Sequence, residues 1–247
     1  MKSEIRKESV QKKFDFTAPR PRPFLSNLPA GIDTYDEGVA RFFRWRTGLD
    51  YHWAIDQVVD FVINTHRVRV VDMLTDTGTF ALQLIGRKGF AGKLYSFDSN
   101  ITLLERARQR ARHMGLDQAV DFRQVAEPRC PVPDGFAEVL VSFFDFHRHP
   151  AEQFMAEAVR VLCPDGHLIL AEVLEPRSGR NRWRTLLKRL HMRYVQKNPA
   201  EAEGNYYDRE EIIDLVFRAG FRQIIIQGLK APSSPCEGVF SLVAATR

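Results

Sequence analysis

The stretch VVDMLTDTGTF, residues 70–80, leads from an apolar, strand-like pattern through a short polar turn into a helix-like pattern. Such turns bring backbone close to a phosphate or nucleotide when they are rich in glycine, because glycine adopts positive φ freely and has no side chain to obstruct the ligand. This turn keeps one glycine, Gly78, and has Leu74 and Asp76 where small residues are expected. The stretch therefore predicts a nucleotide-type cofactor site that has been altered.

Acidic residues lie at or near the ends of two predicted strands. Asp72 is near the end of RVRVVDML (67–74), and Asp98 ends GKLYSFD (92–98). In a parallel sheet, ligands bind beyond the carboxyl ends of the strands. A carboxylate there has few structural partners, so we expect Asp98 to bind a ligand. Asp72 could instead cap the turn, and Gly78 would be needed for helix–strand packing even without a ligand.

Two histidines follow the buried-strand pattern AEVLVSFF (137–144). His147 could remove a proton from a substrate, because the pKa of histidine is near neutrality. His147 and His149 together could suggest a metal ion, but the sequence has no third ligand at suitable spacing. We therefore predict His147 as a catalytic base and no metal site.

Aromatic residues near the same strand end could line a substrate pocket. Phe144 and Phe146 follow the strand, and Tyr206 and Tyr207 precede a predicted helix. We predict that these four side chains contact the substrate. The alternative is that one or two of the phenylalanines belong to the core and that the tyrosines pack on the rim of the pocket.

Hydrophobic periodicity divides residues 51–247 into alternating strands and helices. After Tyr51, apolar residues recur at the spacing of one buried helical stripe: Ile55, Val58, Val59 and Val62. Further helices are predicted at 79–87, 101–114, 151–162 and 208–219, and strands at 67–74, 92–98, 119–125, 137–144, 167–174, 221–228 and 238–246. This alternation predicts an α/β fold with a doubly wound, mostly parallel sheet and helices on both faces.

Two segments do not fit the alternation. Residues 1–50, with prolines at 19, 21, 23 and 29, predict a largely irregular N-terminal arm that packs onto or over the domain of residues 51–247. Residues 177–197 contain eight Lys or Arg and no acid. Five residues recur there at helical spacing: Trp183, Leu186, Leu187, Leu190 and Tyr194.

This basic amphipathic helix has two interpretations. It could be a lid, inserted at about 177–200, whose apolar stripe packs on the core and whose charges are solvated. It could instead contact an anionic surface, because basic amphipathic helices with Trp and Leu lie in membrane interfaces. Nucleic acid is the other anion, and it ranks below a membrane because the sequence contains no nucleic-acid-binding motif.

Composition is that of an ordinary globular protein. The 247 residues include 44% hydrophobic and 27% charged residues, with a net charge of +5. No apolar run approaches the roughly 20 residues that span a bilayer, and the N-terminus lacks the apolar core of a secretory signal. The three cysteines, Cys130, Cys163 and Cys236, are widely spaced and predict no disulfide framework. We expect a cytoplasmic protein, peripheral to a membrane if the basic helix contacts one.

The order of motifs resembles the class I S-adenosylmethionine-dependent methyltransferases, especially the ubiquinone and menaquinone C-methyltransferase (methyltransferase type 11) group. The resemblance covers about residues 50–247 and rests on five segments: VVDMLTDTG, LYSFDSN, PVPDGFAEVLVSFFDFHRHP, EAVRVLCPDGHLILAEV and YYDREEIIDLVFRAGF. It implies a Rossmann-like sheet of seven strands, the last one antiparallel, and S-adenosylmethionine as the cofactor.

The resemblance also implies site residues. Asp98 would accept hydrogen bonds from both ribose hydroxyls, because a carboxylate can take two at once. His147 stands where the family has a histidine over the sulfonium end of the cofactor. The predicted cofactor contacts are Asp72, Leu74, Asp76, Thr77, Gly78, Asp98, Ser99, Val125, Ala126 and Phe143.

Three positions depart from the family pattern. Leu74 and Asp76 replace glycines of the first motif, and a side chain in the left-handed conformation costs roughly 1–2 kcal/mol. Val125 stands where the family often has an aspartate that binds the adenine amino group. The departures imply either that the cofactor binds differently and more weakly, or that the fold no longer methylates.

Two functions follow from this comparison. The first is an enzyme that transfers a methyl group from S-adenosylmethionine to a small, apolar or aromatic, quinol-like acceptor. The second is a catalytically silent methyltransferase-like protein that serves as a scaffold or complex subunit, with a protein partner or a second copy bound through the basic helix and the arm. The resemblance favours the enzyme, and the three departures favour the silent protein.

Overall fold

The computed structural model describes residues 33–126, 129–175, 189–195, 202–229 and 240–247. Its α-helices are α1 (Asp33–Thr47), α2 (Tyr51–Asn64), α3 (Thr79–Ile85), α4 (Ile101–His113), α5 (Ala151–Val161) and α6 (Arg209–Arg218). Its strands are β1 (Arg69–Met73), β2 (Lys93–Asp98), β3 (Val120–Gln124), β4 (Ala137–Phe143), β5 (Leu162–Val173), β6 (Arg222–Gly228) and β7 (Phe240–Thr246). A short 3-10 turn (Phe146–Arg148) follows β4.

The strands form a seven-stranded sheet in the order β3-β2-β1-β4-β5-β7-β6. β1 to β5 pair in parallel with their neighbours, and β7 runs antiparallel between β5 and β6. Val139, Leu140 and Val141 in the middle of β4 are fully buried, because helices cover both faces of the sheet. The predicted Rossmann-like α/β fold is confirmed, including its antiparallel last strand.

The helices divide the core between the two faces. On one face, α1 to α4 pack around a cluster that includes Val70, Leu94 and Val139. On the other face, α5 and α6 pack around a cluster that includes Leu140 and Leu168. The predicted stripe of α2 is fully buried at all its positions: Ile55, Val58, Val59 and Val62.

The fifth strand begins earlier than predicted. β5 starts at Leu162, whereas the sequence predicts a strand that starts at residue 167. The pairing of β5 with β4 shifts register between Ala137 and Val139, so the extra residues form a bulge. Asp165 has a left-handed φ of 60° in this bulge. The chain therefore bends there without ending the strand.

The prediction of a largely irregular arm over residues 1–50 is wrong for its last third. Asp33–Thr47 form α1, which begins after the last of the four clustered prolines. Phe43 of α1 is fully buried, and its ring centroid lies 5.0 Å from that of Phe144 and 4.9 Å from that of Phe240. α1 therefore packs at the carboxyl end of β4, over the domain. Residues 1–32 lie outside the described part of the chain.

Only a short part of the basic segment at 177–197 is described. Leu190 precedes a π-helical turn at His191–Val195. Leu190 and Tyr194, which belong to the predicted apolar stripe, are 41% and 69% exposed, whereas Met192 is buried. The rest of the predicted helix lies outside the described residues. Within the described ranges, no helix combines the length and the apolar character needed to cross a membrane.

Candidate functional site

The turn between β1 and α3 has the backbone of a glycine-rich loop although it contains one glycine. φ is 70° at Leu74, 53° at Asp76 and 74° at Gly78. The backbone amides of Leu74 and Thr75 donate to the carbonyl oxygen of Phe97 at 2.9 and 3.0 Å, which holds the loop against the end of β2. A left-handed residue with a side chain costs roughly 1–2 kcal/mol. The loop is therefore strained, and surrounding contacts must offset the strain.

Asp98 at the end of β2 makes one of these contacts. Its buried carboxylate accepts hydrogen bonds from the backbone amides of Asp76 and Asn100, each at 2.8 Å. The expectation that this strand-end carboxylate has few structural partners is therefore wrong, because the loop turns back onto it. The role that the resemblance implies for Asp98, binding the ribose hydroxyls, stays a prediction.

Gly78 is required by its surroundings. A Cβ at this position would lie 2.9 Å from the Cβ of Ala107 on α4 and 3.2 Å from the ring of Phe122 on β3. The backbone there is also left-handed, which favours glycine. Close helix–strand packing therefore explains Gly78 without any ligand.

A small cavity lies under the loop at the carboxyl edge of the sheet. Its wall contains predicted site residues: Asp72, Leu74, Asp76, Thr77, Phe143 and Phe144. It also contains residues that were not predicted: Val39, Tyr51, Thr75, Thr79, Phe80, Asp145 and Arg148. Its volume is about 30 Å³, and one water molecule needs roughly 10–15 Å³. The cavity therefore has room for about two or three water molecules and not for a nucleoside.

Asp72 is a buried acid in this wall. Its side chain is almost fully buried at the end of β1, and the Ser96 hydroxyl donates to its carboxylate at 3.3 Å. Burial raises the pKa of Asp72 to about 7, the nearby hydroxyls of Thr75 and Ser96 oppose that rise, and the charges of Asp98 and Asp145 add to it. The protonation of Asp72 therefore responds, near neutral pH, to any charge that enters the cavity.

Asp145 and Arg148 extend the wall from the turn after β4. Arg148 Nη1 lies 2.7 Å from Asp145 Oδ1, and His149 Nε2 lies 3.2 Å from Asp145 Oδ2. His149 thus faces Asp145 and does not join His147. Across the described residues, no group of three or more His, Cys, Asp or Glu side chains is placed to hold a metal ion.

His147, the predicted base, is fully buried and is not part of the cavity wall. Its Nδ1 lies 2.9 Å from Oε2 of Glu172, and that oxygen also accepts the His147 backbone amide at 3.2 Å. The imidazole ring stacks on Tyr206, with centroids 4.7 Å apart. In this conformation His147 is a buried partner of Glu172, and its action as a base stays a prediction.

The four predicted substrate residues do not lie together. Phe144 lines the cavity and has a left-handed φ of 55°. Phe146 is buried in the core on the other face of the sheet. Tyr206 stacks on His147 and Tyr207 packs against Phe146, so neither tyrosine is part of the cavity wall.

The remaining predicted cofactor contacts lie beside Asp98 and outside the cavity. Ser99 is exposed, and its carbonyl oxygen accepts a hydrogen bond from the Gln124 side chain at 2.9 Å. The backbone amide of Val125 donates to the carbonyl oxygen of Asp98 at 3.0 Å, and Ala126 is exposed. These residues lie beside the cavity and not in its wall.

A buried charge pair beside the cavity was not predicted. Arg110 on α4 is 1% exposed, and its Nη1 donates to the carboxylate of Asp36 on α1 at 2.6 Å. The sequence contains a signal for Arg110, because this residue lies between Ala107 and Ala111 on the buried stripe of α4. It contains none for Asp36, since that contact depends on how α1 docks.

The sheet order and the loop after β1 define a class I methyltransferase fold. Residues 70–166 match the family model described as "Methyltransferase domain". This match supports the resemblance to the class I S-adenosylmethionine-dependent methyltransferases that the order of the motifs indicates.

Two curated relatives are demethylmenaquinone methyltransferases. The chain is 31% identical to that of Thermus thermophilus over 133 residues, which are 53% of this chain and 59% of that protein. It is 33% identical to that of Deinococcus radiodurans over 134 residues, which are 53% of this chain and 54% of that protein. The matched region thus spans little more than half the length of these relatives.

Solved structures show the same fold at lower identity. Geranyl diphosphate methyltransferase in complex with S-adenosylmethionine matches with a TM-score of 0.62 and 18% identity, covering 90% of this chain and 93% of that one. An O-methyltransferase family protein from Burkholderia thailandensis matches with a TM-score of 0.63 and 17% identity, covering 87% and 59%. These matches establish the fold alone.

S-adenosylmethionine does not fit the cavity in this conformation. The left-handed loop and the carboxyl group of Asp72 suit a nucleoside cofactor. The cavity is too small for one, because it has room for only a few water molecules. Leu74 is 5% exposed and fills part of the wall, and Asp76 adds a carboxylate beside that of Asp72. A cofactor could enter only if part of the wall moved.

Proposed function

We propose that the protein is an S-adenosylmethionine-dependent methyltransferase that acts on a small, apolar or aromatic acceptor. The observation that carries the proposal is the loop after β1, which keeps three left-handed residues although Leu74 and Asp76 have side chains. Strain of roughly 1–2 kcal/mol at each of these two residues persists where a site requires that backbone shape. The family match over residues 70–166 supports the same function.

The class of acceptor is inferred from the apolar part of the wall. Tyr51, Phe80, Phe143 and Phe144 contribute aromatic rings, and those of Phe80 and Phe143 stack with centroids 6.1 Å apart. Such walls favour flat, apolar molecules, which pack against ring faces. The relatives named demethylmenaquinone methyltransferases make quinol-like compounds the first acceptors to test.

Methyl transfer requires two positioned reactants and a group that takes the acceptor's proton. Asp72 is in the cavity wall and has a pKa near 7, whereas His147 is buried behind the wall. In the conformation described here, we propose Asp72 as the base. We propose His147 as the base only for a conformation in which the cavity wall has moved and exposes His147. A pH–rate profile distinguishes them: the acid limb is lost in Asp72→Asn if Asp72 is the base, and in His147→Gln if His147 is.

Calorimetric titration with S-adenosylmethionine and with S-adenosylhomocysteine tests the function. Micromolar binding that is weakened by Asp98→Ala supports it. Because Asp98 also holds the loop, Asp98→Asn is needed as a milder variant that keeps one acceptor oxygen. Asp117→Asn, at an exposed position away from the site, is the control for charge.

The three departures from the family pattern and the small size of the cavity favour a second function. Leu74, Asp76 and Val125, together with the small cavity, are what a silent methyltransferase-like scaffold or complex subunit would show. If the wild-type protein binds neither adenosine compound, and Leu74→Gly/Asp76→Gly/Val125→Asp binds them in a folded state, the scaffold is the better account. A protein partner or a second copy would then be sought.

We propose further that residues 177–197 contact a membrane surface. The exposure of Leu190 and Tyr194, at 41% and 69%, supports it, because apolar and aromatic side chains beside basic residues enter the headgroup region. Co-sedimentation with phosphatidylserine vesicles, and not with phosphatidylcholine vesicles, is the expected result. Equal binding to both, or to neither, would contradict the proposal.

A further inference from the structure

Beside the cavity, three polar side chains converge on the carboxylate of Asp36 from α1. Arg110 Nη1 donates to Oδ2 at 2.6 Å, the Thr77 hydroxyl to Oδ1 at 2.6 Å and the Thr79 hydroxyl to Oδ2 at 3.0 Å. Arg110 belongs to α4, and the two threonines belong to the loop after β1 and the start of α3. We call these three residues the Arg110 cradle. The domain forms the cradle, and α1 inserts the carboxylate.

The cradle contains a buried positive charge. Arg110 is 1% exposed, and Thr77 and Thr79 are 4% and 3% exposed. Nη1 of Arg110 also donates to the Thr77 carbonyl oxygen at 3.0 Å, while its buried Nε has no hydrogen-bond partner among the described residues. An unpaired buried charge is strongly unfavourable. If Asp36 moves away, the cradle must therefore bind another anion or admit water.

α1 can expose the cradle without leaving the domain. Phe42 and Phe43 anchor its C-terminal half in the core, whereas Asp36 and Val39 from its N-terminal half cover the cradle and line the cavity. Gly38 lies within this half, and a Cβ there would meet no atom within 4 Å. Packing therefore does not require a glycine at this position. Glycine weakens a helix relative to alanine. Gly38 is thus a point about which the first turns of α1 can lift.

The cradle and the cavity are contiguous. Thr77 and Thr79 line the cavity, and their hydroxyl oxygens lie 3.2 Å apart beside Asp36. Movement of the residues before Gly38 would remove Asp36 from the cradle, whereas Val39, which follows Gly38, would stay in the cavity wall. The cavity would then widen toward a buried arginine and two hydroxyl donors.

We propose that the Arg110 cradle is a subsite for the carboxylate of a small ligand and that Asp36 is an internal carboxylate that closes it. The ligand takes the place of Asp36 when the first turns of α1 lift about Gly38, so α1 is a built-in competitor. The inference rests on the proposed function for one of its two possible ligands, since S-adenosylmethionine carries a carboxylate. A carboxylate on the acceptor is the other source.

Rescue by a free carboxylate tests the cradle independently of any cofactor. Asp36→Ala lowers the unfolding temperature, and acetate restores part of the loss whereas chloride at the same ionic strength does not. Glu37→Ala is the matched control, because it removes an exposed neighbouring charge from the same helix. If acetate stabilises Asp36→Ala no more than the control, the cradle does not bind carboxylates and the proposal is wrong. Should Asp36→Ala fail to fold, Asp36→Ser serves in its place, because its shorter side chain also leaves room for acetate.

Titration with two adenosine ligands then identifies the source of the carboxylate. S-adenosylhomocysteine has a carboxylate and methylthioadenosine has none. If the cofactor uses the cradle, Asp36→Ala improves the binding of S-adenosylhomocysteine by about tenfold and that of methylthioadenosine by less, and Thr79→Val weakens only the former. Acetate rescue with an unchanged ratio of the two affinities assigns the cradle to an acceptor carboxylate.

The two proposals fail in different ways. Absence of binding for both adenosine ligands in every folded variant contradicts the proposed function, and acetate rescue would still support the cradle. Tight binding of S-adenosylhomocysteine that is equal in wild type, Asp36→Ala and Thr79→Val, without acetate rescue, overturns the cradle and leaves the enzyme standing.

Discussion

Leu74 adopts the backbone conformation of a glycine and buries a large side chain at the same position. Its φ is 70° and it is 5% exposed. At this residue, the backbone conformation of the loop is therefore preserved, while the leucine side chain fills space beneath the loop. Burial of the leucine offsets the strain of its backbone, since a buried leucine contributes roughly 1.5–3 kcal/mol.

Leu74→Gly separates these two contributions. The variant relieves roughly 1–2 kcal/mol of strain but loses a buried side chain, for which Leu→Ala changes cost about 2–5 kcal/mol. Urea denaturation should show a net destabilisation of about 1–3 kcal/mol, and S-adenosylhomocysteine should bind more tightly. Met73→Ala is the control, because it also removes a buried side chain next to the loop. A similar gain in affinity in Met73→Ala would show that Leu74 is not the obstacle.

The raised pKa of Asp72 should make the stability of the protein depend on pH. Its pKa is raised from 3.8 to about 7 in the folded protein by burial, so between these pH values the folded state holds a proton that the unfolded state has released. The contribution of Asp72 to the free energy of unfolding is fully present below about pH 4. It is lost as the pH rises through about 7, at up to about 1.4 kcal/mol per pH unit.

Asp72→Asn removes this titration. Denaturation of wild type and variant between about pH 5 and 8 should show that the fall in stability with rising pH is smaller in Asp72→Asn. Asp117→Asn, at an exposed position, should follow the wild type. Parallel curves for Asp72→Asn and wild type would mean that Asp72 is already ionised in the folded protein.

α1 is the element that decides whether the site is closed. It contributes Val39 to the cavity wall and Asp36 to the cradle, and Phe43 anchors it to the core. The sequence does not predict this helix, because the prolines before it suggest an irregular arm and its buried face is defined by a few aromatic contacts. By contrast, the stripes of α2 and α4 follow directly from the spacing of their apolar residues.

Gly38→Ala tests the flexibility of this element. The added methyl group meets no atom within 4 Å, and alanine stabilises a helix interior by about 0.5–1 kcal/mol relative to glycine. We expect a small rise in the free energy of unfolding and weaker binding of S-adenosylhomocysteine. Gly78→Ala is the contrasting variant, because its Cβ would lie 2.9 Å from Ala107 and the variant should be destabilised. Tighter binding in Gly38→Ala would contradict a lifting α1.

For the whole molecule, strand–helix alternation and buried-strand patterns predict the mostly parallel sheet, because they are local features of the chain. The antiparallel last strand is implied by the family resemblance and not by these patterns. The closure of the site is not local. Asp36 and Arg110 are 74 positions apart, and their contact follows from the docking of a helix onto the finished domain. In the same way Phe143 and Phe146 end on opposite faces of the sheet because the chain turns after β4.

We propose that the loop after β1 binds the cofactor of a methyltransferase and that α1 closes this site. Calorimetric titration of S-adenosylhomocysteine into the wild-type protein and into Asp36→Ala is the most direct test of this account. We predict micromolar binding to the wild type and binding about tenfold tighter to Asp36→Ala. Absence of binding in both proteins, with Asp36→Ala shown to be folded, would contradict the assignment of a methyltransferase.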